Sequence, residues 1–359
     1  MRISERICKY TLTAFAVITS IFGTISAYSK ITGLTMNGSS VAAAGLSMAQ
    51  PGGASDFDKT DSLKHSDTDT DADTAASVQI KASPDAAESD KDDHIGEETY
   101  LVTESLFRES NASYDNFYVK NSTDKTLDLR GYLSSALPFE YEETTAPQVL
   151  IVHTHSTEAY MDSDLGYYYE SFSPGNVDDS KNIVRVGDAI TESIEEEGIA
   201  VIHCKKHHDE PSYLGAYDSS AESINEYLAE YPSIKIVLDI HRDSITTDEN
   251  EKIKPTFTCG GKKAAQIMIM CGNDNNGYYD FPDWEQNMSL AVKLQSVAET
   301  DYPGMTRPLY FGDFMYNMNL APGSLLIEMG TDANTLDEAV YSGEMLGKVI
   351  AKVLKAAKG

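Results

Sequence analysis

The stretch QVLIVHTH at residues 148–155 decides the fold reading. Its apolar run is that of a strand buried on both faces, the kind a parallel sheet covered by helices contains, and it closes on two histidines. Downstream, Asn182 to Glu197 sets Ile183, Val186, Ile190 and Ile194 on one helical face, and IAVIHC (199–204) then reads as a strand. Ser220 to Glu230 resumes the helical period through Ile224, Tyr227 and Leu228, Pro232 stops it, and IKIVLDIH (234–241) makes another buried strand. Strand, helix, strand, helix, strand predicts an α/β fold: a mainly parallel sheet, right-handed crossovers, helices on both faces. PTFTC (255–259) and AQIMIMC (265–271) flank Gly260-Gly261 and predict an antiparallel hairpin. A helix from about Trp284 to Glu299, the strand SLLIEM (324–329) and a helix from about Leu336 to Ala356 complete the pattern.

Active sites of open α/β sheets form outside the carboxyl ends of strands, so polar residues ending three apolar strands are the informative feature. The first strand ends in His153-Thr154-His155, with Glu158 three residues on. Alternation along an extended chain predicts that His153 and His155 share a face. The second strand ends in Asp239-Ile240-His241, followed by Arg242 and Asp243, and the third ends in Glu328 before Met329-Gly330-Thr331.

Two imidazoles and a carboxylate suit zinc, which in hydrolytic sites takes three protein ligands and leaves a position for water. Glu328 is placed to accept the proton of that water and return it to a leaving nitrogen. No GxSxG elbow, P-loop or GxGxxG follows a strand, so serine acyl transfer and nucleotide chemistry have no local support.

Composition narrows the partners. Acidic residues number 57 against 28 basic ones, for a formal net charge of −29, which disfavours nucleic acid. Cys8, Cys204, Cys259 and Cys271 are too few and too irregularly spaced for a disulfide framework or a zinc knuckle. Residues 10–29, YTLTAFAVITSIFGTISAYS, carry no charge and are about long enough to cross a bilayer core as a helix. Arg2, Arg6 and Lys9 precede them, so residues 1–30 read as a cytoplasmic tip and single-pass anchor that leaves the rest of the chain extracytoplasmic. A signal peptide cleaved near Ser26-Ala27 is the alternative. Residues 31–98 read as a disordered acidic linker, since Ala54 to Glu98 holds 11 Asp and 3 Glu against 4 Lys without hydrophobic periodicity. Residues 99–145 read as a lead-in of mixed short elements, and 146–359 as the catalytic domain.

With these residues in place the chain resembles the stage II sporulation protein P family of membrane-anchored cell-wall hydrolases. The resemblance covers roughly Leu127 to Lys355. It is carried by VLIVHTHSTEAY (149–160), NIVRVGDAI (182–190), HHDEPSYLGAY (207–217), YPSIKIVLDIHRDS (231–244) and NLAPGSLLIEMGT (319–331). The family is related to zinc-dependent N-acetylmuramoyl-L-alanine amidases. The resemblance therefore implies a peptidoglycan hydrolase of sporulation that cuts the amide between the muramic acid lactyl group and L-alanine, with cleavage of peptide cross-links as well. It implies Zn2+ as cofactor, His155 and His241 as metal ligands, and Glu328 as the catalytic acid and base. Glu158 is taken as the remaining ligand because it adjoins His155. Glu170 and His153 are the other candidates, since the amidase glutamate usually begins the first helix, where this chain has Asn182.

Arg242 is a candidate partner for a stem-peptide carboxylate, or else half of a structural ion pair. His208-Asp209 either lines the cleft or closes a loop. Tyr310, Phe311 and Tyr316 either form a sugar or peptide platform or, as aromatic residues before a buried strand, belong to the core. The resemblance further implies a septal or forespore-engulfing membrane, a lytic transglycosylase partner (stage II sporulation protein D) and a membrane protein that recruits both. The competing readings are a non-catalytic envelope scaffold with the same fold and a secreted metallopeptidase.

Overall fold

The computed structural model describes residue 94 and residues 96–357. The expected anchor, Cys8 and all but the end of the expected linker lie outside these residues. The end of the linker is placed, with His94 stacked on Tyr169 at 3.9 Å and Glu97 accepting the Ser171 amide. Among the described residues no helix is long and apolar enough to cross a membrane.

In chain order the elements are β1 (Thr99–Ser105), β2 (Ala112–Tyr114), β3 (Phe117–Asn121), α1 (Leu129–Ser134), β4 (Val149–Val152), β5 (Tyr167–Tyr169), α2 (Ile183–Glu196), β6 (Val201–His203), α3 (Ala216–Glu230), β7 (Ile236–Asp243), β8 (Lys252–Cys259), β9 (Lys262–Ala265), β10 (Ile267–Gly272), α4 (Trp284–Asp301), β11 (Leu309–Gly312), β12 (Ser324–Thr331) and α5 (Leu336–Ala356). The main sheet runs β2-β3-β11-β10-β12-β7-β4-β6. All its pairings are parallel except β2 with β3 and β10 with β12. A smaller sheet runs β5-β1-β8-β9.

The expected α/β layering is present. Alternate residues of β4 and β7 divide between two cores: Val149, Ile151, Ile236, Leu238 and Ile240 pack with α2, α4 and α5, while Leu150, Val152 and Val237 pack with Ile224 of α3. The caps explain why two helices begin where they do. Asn182 accepts the Val184 amide to start α2, and Thr335 with Glu338 forms a reciprocal capping box on α5.

The hairpin expectation needs correction. β8 and β9 pair antiparallel around Gly260-Gly261, but the apolar run that follows leaves that hairpin at Gln266 and enters the main sheet as β10. Gln266 turns the chain by donating to the Gly304 and Thr306 carbonyls, which fixes a peptide-like side chain where a ladder would otherwise continue. Residues 99–145 are also more than a lead-in: β1 joins the small sheet beside β8, and β3 joins the main sheet beside β11.

Helices α2 and α5 touch at Gly347, where an added Cβ would lie 2.5 Å from Ser193 Cβ and 2.7 Å from the Ile190 carbonyl oxygen. Gly347→Leu is therefore expected to cost about 1–3 kcal/mol by overpacking, seen as a lower urea midpoint with an unchanged m-value.

Candidate active site

Strand order β12-β7-β4 brings the three polar strand ends side by side. Glu328 is the direct register partner of His241. Since Ile240 and Ile327 face the α2 core, Asp239, His241 and Glu328 all face the α3 side. The pairing then slips by a bulge between Glu328 and Thr331, where Gly330 adopts a φ of +80°. Bulges of this kind bend a strand and re-aim side chains near functional sites.

His155 reaches the same side from a turn. Its ring stacks flat on Tyr213 at 3.9 Å and meets His241 edge-on at 5.4 Å and Tyr217 edge-on at 5.5 Å. The turn is clamped from two directions. Asp239 accepts the Thr154 amide at 2.8 Å and the Thr154 hydroxyl at 2.6 Å. Asp209 accepts the hydroxyls of Ser156 and Thr157, each at 2.6 Å, and the Thr157 amide at 3.1 Å. His208 lies 2.8 Å from the His153 carbonyl oxygen through Nδ1 and 3.0 Å from Ser223 Oγ through Nε2. His208-Asp209 thus closes the loop that presents His155.

His153 and His155 do not share a face. β4 ends at Val152 and the chain turns at once, so only His153 continues the strand's alternation. It points to α2, where Nδ1 donates to the Ile240 carbonyl at 2.8 Å and Nε2 lies 2.8 Å from His203 Nε2. The sheet separates it from His241. Glu170, also a candidate ligand, is exposed at the end of β5 in the smaller sheet, and its amide donates to the Glu98 carbonyl. Glu158 is brought in: its Oε2 stands 3.4 Å from His241 Nδ1 and accepts the Arg242 amide at 3.0 Å. Its own carbonyl accepts the Ile183 amide at 2.8 Å, so it stands beside the start of α2.

Arg242 is half-buried, and its guanidinium donates to the Ala159 carbonyl at 3.1 Å and the Pro174 carbonyl at 2.8 Å. It ties the Glu158 segment to β7. Asp243 pairs with Arg307 at 2.8 Å.

The electrostatics follow from this packing. Burial opposes charge on Glu158, but the neighbouring His241 and Arg242 override it and hold the carboxyl at about 2. Burial likewise opposes charge on Asp239, and His241 with the Thr154 hydrogen bonds brings it to about 2. His241 sits between these two carboxylates, which raise it well above the usual imidazole value despite its burial. His155 is lowered to about 4, chiefly by burial. Glu328 moves the other way: burial first, then the charge of Asp243, pushes it up to about 8. One wall of the site thus holds ionised carboxylates and the other a carboxyl that retains its proton more readily.

The donor set fits a zinc ion in kind. Buried His155 Nδ1, His241 Nε2 and Glu328 Oε2 have no hydrogen-bond partner, an expensive state for polar atoms. His241 Nε2 is 2.9 Å from Asp239 Oδ1 but off the hydrogen-bonding direction. As placed, no three His, Cys, Asp or Glu side chains among the described residues converge closely enough to hold an ion.

The carboxylates behind the site stand where the sequence offers them, though without an assigned partner: Asp239 lies two residues before His241 on the same strand face, and Asp209 takes the loop-closing alternative, reaching the His155 turn from a loop 52 residues away from Thr157. An open depression of about 590 Å³ between α1 and α4, lined by Asp128, Tyr132, Pro138 and Glu285 among others, includes none of the site residues.

The profile of the family Stage II sporulation protein P (SpoIIP) matches residues 41–351. Stage II sporulation protein P of Bacillus subtilis (strain 168) is 30% identical over 217 residues, which is 57% of this chain and 50% of that protein. The match thus spans about half the length of the curated relative. Among solved structures, the CwlD amidase from Clostridioides difficile in complex with the GerS lipoprotein aligns at 14% identity and a TM-score of 0.36, covering 58% of this chain and 98% of that one. N-acetylmuramoyl-L-alanine amidase AmiC2 of Nostoc punctiforme aligns at 13% identity and a TM-score of 0.33, over 58% and 94%. With a profile match across most of its length, the chain belongs to the Stage II sporulation protein P family.

Proposed function

We propose that this protein is a zinc-dependent N-acetylmuramoyl-L-alanine amidase acting on peptidoglycan during engulfment, with cleavage of peptide cross-links as a second activity. One observation carries the reading: Glu328 and His241 are register partners on one sheet face, and His155 and Glu158 reach that face from the loop after β4. A non-catalytic scaffold has no need of that convergence.

His155, Glu158 and His241 would hold the metal. When bound, zinc would supply polarisation of the amide carbonyl and acidification of the attacking water. Asp239, through Thr154, and Asp209 with His208 hold the turn that carries His155, the supporting role outer residues have around such ligands. Glu328 takes the water's proton during attack and returns it to the departing alanine nitrogen.

Residues 1–30 anchor the chain in the membrane, and residues 31–98 tether the catalytic part outside it. The partners are a lytic transglycosylase, stage II sporulation protein D, and a membrane recruiter.

The full-length chain incubated with purified peptidoglycan and zinc should release free stem peptides identifiable by mass spectrometry. Excess chelator should remove them and added zinc restore them. Release that persists in chelator would end the metal reading, and digestion of denatured protein but not of wall would favour a metallopeptidase.

A further inference from the structure

Six non-glycine residues among those described have positive φ: Asp115, Asn250, Asn275, Asn276, Tyr316 and Asn317. Five are Asp or Asn, which tolerate the left-handed region. Tyr316, at +42°, is the bulky one, and a conformation of this kind persists only where its surroundings enforce it. Asn317 supplies the enforcement, donating to the Tyr217 carbonyl at 2.8 Å and to Ser220 Oγ at 3.0 Å. The outcome is an ordered series of rings. Tyr316 stacks on Tyr217 at 5.3 Å, Tyr217 meets His155 edge-on, and His155 stacks on Tyr213.

These rings are not sealed in the core. Phe311 is fully buried, but Tyr316 and Tyr217 are half-buried, and Tyr213 is 55% exposed beside a Leu214 that is 75% exposed. The outer part of Tyr213 meets water while one face covers the ring of His155. A strained backbone that aims one aromatic at another next to a proposed ligand, with an exposed third ring alongside, is the arrangement of a binding surface.

The charges nearby narrow the occupant. The carboxylates of Glu158, Asp209 and Asp239 stand in the same region, where His241 lies between Glu158 and Asp239, and Arg242 spends its guanidinium on backbone carbonyls. A carboxylate-bearing peptide segment is unfavourable against such a wall. A neutral ring with an apolar face is favourable. We propose that Tyr213, Tyr217 and Tyr316 form a ledge that stacks a pyranose ring of the glycan strand next to the scissile amide. The assignment of glycan as ligand rests on the amidase reading.

The test is calorimetric titration of the full-length wild type and its variants with two probes: a β-1,4-linked GlcNAc oligosaccharide, which is uncharged and carries no bond for an amidase to cut, and a free stem peptide. Tyr213→Ala alters an exposed ring and should weaken glycan binding by at least about fivefold, and Tyr316→Ala by about tenfold, with stem-peptide affinity held within about twofold. Tyr316→Phe keeps the stacking face and should keep glycan affinity within about threefold. Unchanged glycan affinity in Tyr213→Ala, equal loss for both probes, or no saturable glycan binding by the wild type would overturn the ledge. Wild type that binds glycan through these rings yet releases no stem peptide would overturn the amidase reading and leave the ledge standing.

Discussion

If Glu328 acts as proposed, Glu328→Gln is expected to lower stem-peptide release by about 10³-fold, the scale on which a general acid and base contributes to hydrolysis. The substitution keeps the shape of the side chain and removes its ability to accept and return a proton. Stability should not fall. A carboxyl whose folded pKa is raised to about 8 by burial and by Asp243 is harder to ionise in the folded state than in the unfolded one, so near pH 7 its charge opposes folding. The amide carries no such penalty. Urea melts at or above the wild-type midpoint, zinc content equal to wild type and product release near background would together assign the loss to proton transfer. Wild-type turnover by a folded, metal-loaded variant would remove Glu328 from the mechanism. His155→Ala differs in a measurable way, since it should lose bound zinc as well as activity.

The second large effect is on folding. Lys254 is 1% exposed and lies 2.8 Å from Asp164 and 2.9 Å from Glu338. Glu338 also accepts the Thr335 amide and the Asn334 side-chain amide, so it serves the ion pair and the cap of α5 together. Glu338→Ala leaves a buried ammonium with one half-exposed partner and is expected to cost about 3–5 kcal/mol. Removing the charge pair as a pair is far milder. Lys254→Met with Glu338→Gln should recover most of the loss, because glutamine still accepts from Thr335 and Asn334 while no lysine remains to be compensated. Denaturant midpoints of the two variants decide the matter: a double variant as destabilised as Glu338→Ala would overturn the uncompensated-lysine account, and a loss of only about 1 kcal/mol in Glu338→Ala would assign the effect to the cap alone.

Much of the fold was legible because buried strands and amphipathic helices announce themselves. The expected helix from Leu336 to Ala356 coincides with α5, and Asn182 caps α2 one residue before its start. α3 begins at Ala216, a turn before the expected Ser220, because its N-cap is a left-handed Gly215 without a capping side chain, a start with no sequence signal. Short strands at large separations were also invisible: nothing local in Phe117–Asn121 names Leu309–Gly312 as its neighbour. The candidate site was readable where the chain is extended, at His241 and Glu328, and unreliable where it turns. His153 and His155 obey the two-residue period only as long as a strand lasts, and β4 had already ended.

The placement of β3 has a consequence for how the chain is made. The Ser122 hydroxyl donates to the Phe311 carbonyl, a contact 189 residues apart in sequence, and the whole of β3 pairs with β11 at similar separation. A polypeptide elongating at about 5–20 residues per second exposes β3 for about 10–40 s before its partner exists. Throughout that interval the edge of β3 that takes β11 is open, and the final sheet cannot close until β11 has been made. The decisive step in folding this domain therefore waits for β11, and a holding chaperone that covers residues 112–121 should raise its yield more than one acting on any later strand.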